Sequence, residues 1–160
     1  NIFINGNTGN ILLGDVGLSL TNNKDKIESL VGTPEFMAPE MYEGDYTKKI
    51  DIYAFGMTML EIITKKVPYY ECKFIPQIWR KVSTGHKPLV YNHIVESDLK
   101  KIICQCINPN PEERPPIDEL LKYNFFYQEK DNCISLAEYI ISEDNKIIVD
   151  VLDNLIKRIE

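Results

Sequence analysis

The residues of this chain best suited to chemistry lie near its beginning. Gly14-Asp15-Val16-Gly17 is followed, seventeen residues after Asp15, by Gly32-Thr33-Pro34-Glu35-Phe36-Met37-Ala38-Pro39-Glu40. Taken singly the pieces say little: an aspartate between glycines is usually a tight turn, and Ala-Pro-Glu is a helix start, where the N–H that proline lacks is not needed. Asp51 opens an apolar run, where a carboxylate suits the free amides of a helix N-terminus. Arg114, in Pro111-Glu112-Glu113-Arg114-Pro115, read alone is a surface residue ahead of a helix. The cysteines Cys72, Cys104, Cys106 and Cys133 lack the CxxC spacing of a zinc site. Cys104 and Cys106, two apart on a helical pattern, point to different faces, and all four read as free thiols packed as small hydrophobes in a reducing, cytoplasmic compartment.

The elements that must position these groups follow from the apolar pattern. Ile2-Phe3-Ile4 and Ile11-Leu12-Leu13 flank the turn formers Asn5-Gly6-Asn7-Thr8-Gly9-Asn10, which predicts a β-hairpin. Residues 21–29 are polar and without period, an exposed mobile loop. Pro34 and Pro39 preclude regular helix until about Met41. The run 51–64 is apolar on nearly every side and predicts a central, buried helix. Further helices are predicted over 75–83, 96–107 and 117–122, the last opened by Pro115-Pro116. After Phe125-Phe126, residues 133–141 and 146–152 read as two strands around Ser142-Glu143-Asp144-Asn145.

A chain of 160 residues with 44% hydrophobic content can bury one core. Its net charge of −6, with scattered acids, argues against a nucleic-acid or anionic-membrane surface, which needs a concentrated basic patch. Apolar runs are broken well before the roughly 20 residues of a membrane span, as 52–63 is by Glu61, and no signal-peptide pattern opens the chain.

Read together, the motifs have the order of the protein kinase signature: a metal-binding Asp before a Gly, an activation loop, then Ala-Pro-Glu. Asn1 stands where the catalytic-loop pattern H-R-D-x-x-x-x-N ends, which places that loop's Asp ahead of the chain. The wording is more specific still. Gly32 to Glu40 with Met41-Tyr42-Glu43, Asp51-Ile52-Tyr53-Ala54-Phe55-Gly56-Met57, Pro68-Tyr69-Tyr70-Glu71-Cys72 and Val82-Ser83-Thr84-Gly85-His86-Lys87-Pro88 resemble the with-no-lysine (WNK) family of serine/threonine kinases. The likeness runs over 1–126.

The resemblance implies a mainly α fold: a kinase-like C-terminal lobe over 1–127, opened by the short hairpin and with its activation segment at 15–40. Residues 128–160 would then begin a small β-rich module resembling the peptide-binding domain of downstream kinases. It implies transfer of the ATP γ-phosphate to serine or threonine of protein substrates, with ATP and Mg²⁺ as cofactors. Asn1 and Asp15, one oxygen donor at each end of the hairpin, would hold magnesium against the phosphates. Thr33 lies in the segment that orients the acceptor hydroxyl, and Glu40 with Arg114 matches a buried ion bridge beneath the activation segment. Asp51 would tie its helix to the catalytic-loop backbone, and Ser29 stands at the family's activating autophosphorylation site, with Asp25 where a second phosphorylatable serine is common.

Partners implied are protein substrates, among them downstream Ste20-related kinases in ion transport or osmotic responses. Val16 replaces the family's usual Leu beside an inhibitory chloride site, so chloride regulation stays open, and the defining lysine lies outside the chain. The 160 residues alone are expected to be inactive. The alternative is a pseudokinase or scaffold that binds partners without catalysis; retention of both Asn1 and Asp15 argues against it.

Overall fold

Two short apolar runs pair at the start of the chain as antiparallel strands, β1 (Ile2–Ile4) and β2 (Ile11–Leu13), in the register Ile2↔Leu13, Phe3↔Leu12, Ile4↔Ile11. The ladder continues one step, because the Gly14 N–H donates to the Asn1 carbonyl at 2.8 Å. A Cβ at position 14 would run into Phe3 Cε2, so with any other residue there the exposed Phe3 ring would have to swing aside. The structure, a computed structural model, describes residues 1–5, 11–14, 32–95 and 97–127. The expected loop over 21–29 and the expected strands over 133–141 and 146–152 lie outside the described residues, as do Asp15, Ser29 and Cys133.

The described residues of 26–120 form one compact unit, and those of 1–25 and 121–127 form another. In the first, single 3₁₀ turns at Pro34–Phe36, Pro39–Tyr42, Leu89–His93 and Pro111–Glu113 each open on a proline or directly after one. Proline presets φ for a first turn. Met41 therefore lies in a 3₁₀ turn, and regular helix starts later.

That helix, α1 (Lys49–Thr64), begins two residues ahead of the expected start at Asp51. Thr47 Oγ1 accepts the Lys49 N–H at 3.3 Å, and the Thr47 and Lys48 carbonyls accept the Ile50 and Asp51 amides at 3.1 and 3.2 Å. The first amides are thus satisfied from upstream, and Asp51 sits in the first turn instead of capping it. α1 buries Ile52, Tyr53, Phe55, Gly56, Met57, Met59 and Leu60, so its burial runs most of the way round. Thr58 and Thr64 return their hydroxyls to the carbonyls of Ala54 and Leu60 at 2.8 and 2.7 Å. The helix stops at Lys65, in the left-handed region at φ 53°.

α2 (Ile75–Ser83) packs on the 3₁₀ turns Pro34–Phe36 and Pro39–Tyr42, α1 packs on α3 (Ser97–Cys106), and α4 (Ile117–Leu120) ends the unit. α2 matches its expected span and buries Ile78 and Val82, one turn apart. Gln77 Oε1 closes its N-terminus by accepting the Lys73 and Phe74 amides at 2.7 and 3.3 Å. α3 ends at Cys106, one residue before the end its pattern suggests, and buries Leu99, Ile102, Ile103 and Cys106; residue 96, its expected start, lies outside the described residues. α4 ends at Leu120, not 122. In the other unit a last short helix, α5 (Asn124–Tyr127), was not anticipated from the pattern. Cys104 and Cys106 do face different surroundings: burial pushes the Cys106 thiol up to about 12, whereas at half-buried Cys104 burial raises the pKa but Lys87, its Nζ 3.0 Å from Sγ, and Tyr91 reverse it to a lowered one.

α1 and α3 meet most tightly at Gly56, where a Cβ would lie 2.6 Å from Cys106 Cβ and 2.8 Å from Ile107 Cγ2. Alanine would gain about 1 kcal/mol in helix propensity but overpack this crossing. With both contacts this short, Gly56→Ala is expected at the upper part of the overpacking range and so to lower stability by a net of about 1–2 kcal/mol, read from urea melts of the intact protein; a neutral or stabilising result would mean the crossing yields freely.

Candidate functional site

The segment from Gly32 to Tyr42 is built so that one end reaches solvent and the other is anchored. Gly32 turns the chain at φ 137°, a conformation that favours glycine. Thr33 is exposed; its carbonyl accepts the Phe36 N–H at 3.0 Å, while its hydroxyl does not cap the turn it opens. Met37 and Ala38 then enter the core, and Glu40 follows them into it. Tyr42 returns a hydroxyl bond to the Pro34 carbonyl at 3.4 Å and is held protonated by burial and by the charge of Glu35.

Glu40 meets Arg114, 74 positions away in sequence, through two parallel bonds: Nη1 to Oε1 at 2.5 Å and Nη2 to Oε2 at 2.7 Å. The Arg114 side chain is 0% exposed and that of Glu40 9%. The guanidinium's remaining donors go to backbone carbonyls: Nε to Asn108 at 2.7 Å, Nη1 to Lys49 at 3.0 Å and Nη2 to Pro109 at 3.3 Å. All five N–H groups are thereby used, the condition under which burying a charged pair is tolerable. Lys49 Nζ donates in turn to the Arg114 carbonyl. The guanidinium also lies 5.0 Å from the Tyr53 ring centroid.

Short polar side chains make the loop that presents these carbonyls. Asn108 Oδ1 accepts the Asn110 amide at 3.0 Å, Asn110 Oδ1 accepts the Glu112 amide at 3.1 Å, and the Glu113 carboxylate receives both asparagine amides at 2.9 and 3.3 Å. On the other side, burial pushes the Tyr53 hydroxyl up to about 12 against the pull of Arg114, and it bonds Tyr69. Tyr69, also raised by burial, donates to the His86 carbonyl at 2.8 Å.

Of the residues singled out from sequence, the structure brings Glu40 and Arg114 into contact. Thr33 and Asp51 belong to the same unit as that pair, and Asn1 to the other. Asp51 is exposed, yet protein around it desolvates the carboxyl enough to raise its pKa, and its carboxylate has no hydrogen-bond partner among the described residues. Asn1 is exposed and stands opposite Gly14, the residue before Asp15. Asp15 and Ser29 lie outside the described residues, as do Val16 and Asp25. Among the described residues no group of three or more His, Cys, Asp or Glu side chains could hold a metal, and no helix is long and apolar enough to cross a membrane. Sequence reasoning missed the support around Arg114: Lys49, Asn108, Asn110 and Glu113. The Asn-Pro-Asn-Pro run was the available signal for the loop, but Lys49 meets Arg114 only through backbone carbonyls, its own and that of Arg114, and left none.

Residues 1–126 match the family model of the protein kinase domain. The chain is 46% identical over 138 residues to mouse (Mus musculus) serine/threonine-protein kinase WNK3, covering 86% of this chain and 8% of that protein. It is 45% identical over 138 residues to human (Homo sapiens) serine/threonine-protein kinase WNK4, again 86% of this chain and 11% of the relative. Against the probable serine/threonine-protein kinase WNK10 of Arabidopsis thaliana it is 47% identical over 122 residues, 76% of this chain and 23% of the relative. The chain thus spans under a quarter of the length of these curated relatives.

Because each partner of the ion pair is buried, Glu40→Ala and Arg114→Ala are each expected to destabilise by about 3–5 kcal/mol, the survivor being left desolvated and uncompensated. The double variant should lose far less than the sum. Denaturant melts of the three variants decide this; small, additive losses of under about 1 kcal/mol would mean the pair behaves as a surface bridge.

Proposed function

The chain belongs to the protein kinase domain family, in its with-no-lysine (WNK) branch, and on that premise we propose that residues 1–127 act as the C-terminal lobe of an enzyme that transfers the γ-phosphate of ATP to serine or threonine of protein substrates. The observation that supports the reading is the hairpin register, which sets Asn1 across from Gly14, the residue that precedes Asp15 in sequence. An amide oxygen and a carboxylate are hard donors that suit magnesium and leave room for water and phosphate oxygens. Asn1 and Asp15 would hold the ion, which when bound neutralises charge developing on the phosphates.

The other residues take supporting roles in this proposal. Thr33, with its hydroxyl free of the turn it opens, orients the acceptor hydroxyl. Glu40 and Arg114 fix the end of the segment that carries Thr33, so that positioning is set before substrate arrives. Asp51, desolvated and without a hydrogen-bond partner among the described residues, suits bonds from catalytic-loop amides. Ser29 is the activation switch: its phosphate would add about −1.5 to −2 charge and three acceptors that a cation can order. Downstream Ste20-related kinases as substrates, a role in ion transport or osmotic responses, chloride regulation and a small β-rich module over 128–160 rest on the family resemblance, and a cytoplasmic setting rests on the cysteine pattern. A scaffold without catalysis has no chemical need for both Asn1 and Asp15.

In the intact kinase Asp15→Ala is expected to abolish turnover while leaving the melting curve in place, because a metal ligand acts on the transition state. The 160 residues alone, assayed alongside, should be silent. Near-normal turnover in Asp15→Ala would remove Asp15 from the site. Ser29→Ala, followed by phosphopeptide mapping and activity together, should give an unmodified and poorly active enzyme; full activity would end the switch assignment.

A further inference from the structure

The charge of the chain is unevenly spread. Residues 65–87 carry six lysines and arginines against one acid, Glu71, within a chain of net charge −6. Glu71 is engaged by Lys81 at 2.6 Å, which leaves Lys73 and Arg80 without a carboxylate partner among the described residues. Both are exposed. Between them the start of α2 presents large apolar side chains to solvent: Phe74 at 66%, Ile75 at 59% and Trp79 at 51% exposure. Ile75 and Trp79 lie one turn apart on the same side of the helix. The indole of Trp79 lies beside the Tyr42 ring, centroids 6.4 Å apart and planes tilted by 45°, within the range of an aromatic pair.

We propose that this face of α2 docks an acidic protein segment that carries apolar side chains, with Phe74, Ile75 and Trp79 receiving the apolar groups and Lys73 and Arg80 the carboxylates. Burial of these three side chains supplies the attraction, and the two unpaired cations select the sign of the partner. A polyanion of another kind fits less well. At physiological salt, charges are screened beyond about 8 Å, so a short segment feels the local cations alone, while a nucleic acid or an anionic bilayer extends over the acidic remainder of the surface. The docking is independent of phosphoryl transfer, so its failure and that of the catalytic assignment are separable.

The test uses the intact kinase, without nucleotide, titrated against a fluorescein-labelled peptide of about twelve residues composed of Glu, Asp, Leu and Phe, with anisotropy as the readout. Binding is expected, weakened about ten-fold or more by Trp79→Ala and by the pair Lys73→Glu with Arg80→Glu, and lost when the peptide's acids become Gln and Asn. The charge variants sit at exposed positions and leave the fold intact, so they decide the matter if Trp79→Ala does not fold. No binding of the peptide, or equal binding by wild type and the charge variants, overturns the proposal. So does preferential binding of single-stranded RNA or phosphatidylserine vesicles, or self-association that the same variants abolish, which would assign the face to another occupant.

Discussion

The buried pair of Glu40 and Arg114 is the constraint on which the rest of the helical unit depends. It joins the end of the 32–42 segment, the first turn of α1 through the Lys49 carbonyl, and the 108–115 loop through two more carbonyls. These pieces are distant in sequence, and their own propensities are weak, since each is a single turn or a proline-broken loop. What makes the junction stable is completeness. Withdrawing two charges from water costs several kcal/mol each, and this is offset when every donor finds an acceptor. A lysine could not substitute for Arg114, because three donors on one nitrogen cannot reach a carboxylate and carbonyls on several sides at once.

From that junction order spreads through aromatic and tyrosyl contacts. Tyr53 lies under the guanidinium and bonds Tyr69, and Tyr69, itself at a positive φ of 58°, bonds the His86 carbonyl. The core of α1 therefore communicates with the turn after it and with the exit of α2 through groups that burial keeps neutral. The same arrangement separates rigidity from access. Glu40 is fixed, whereas Thr33, a few residues away, stays at the surface behind a glycine bend. That combination suits the positioning role proposed for Thr33.

Charge tells a related story about averages. The net value of −6 spoke against a nucleic-acid or anionic-membrane surface, yet one short stretch reverses the sign locally, and Lys73 and Arg80, just before and within α2, stand among exposed aromatic and aliphatic side chains. Composition reports the sum of charges, while a partner meets only those within a screening length.

The sequence by itself determined the elements whose evidence is local: a hairpin from two apolar runs around Asn-Gly turns, α2 over its full span from its apolar spacing, and the central helix from an apolar run too dense to be anything but buried. The kinase and WNK wording was likewise local, short motifs in fixed order, and the chain's membership of that family agrees with it. Helix ends were less legible. α1 starts early because Thr47 and Lys48 accept its first amides, and α4 stops early at buried Leu120. The tertiary structure alone decided that Asp51 does not cap its helix, and that Arg114 spends its donors on Lys49, Asn108 and Pro109 as well as on Glu40. Those outcomes depend on backbone carbonyls, which every residue carries alike. No pattern of side chains can announce where a carbonyl will point until the chain has folded around it.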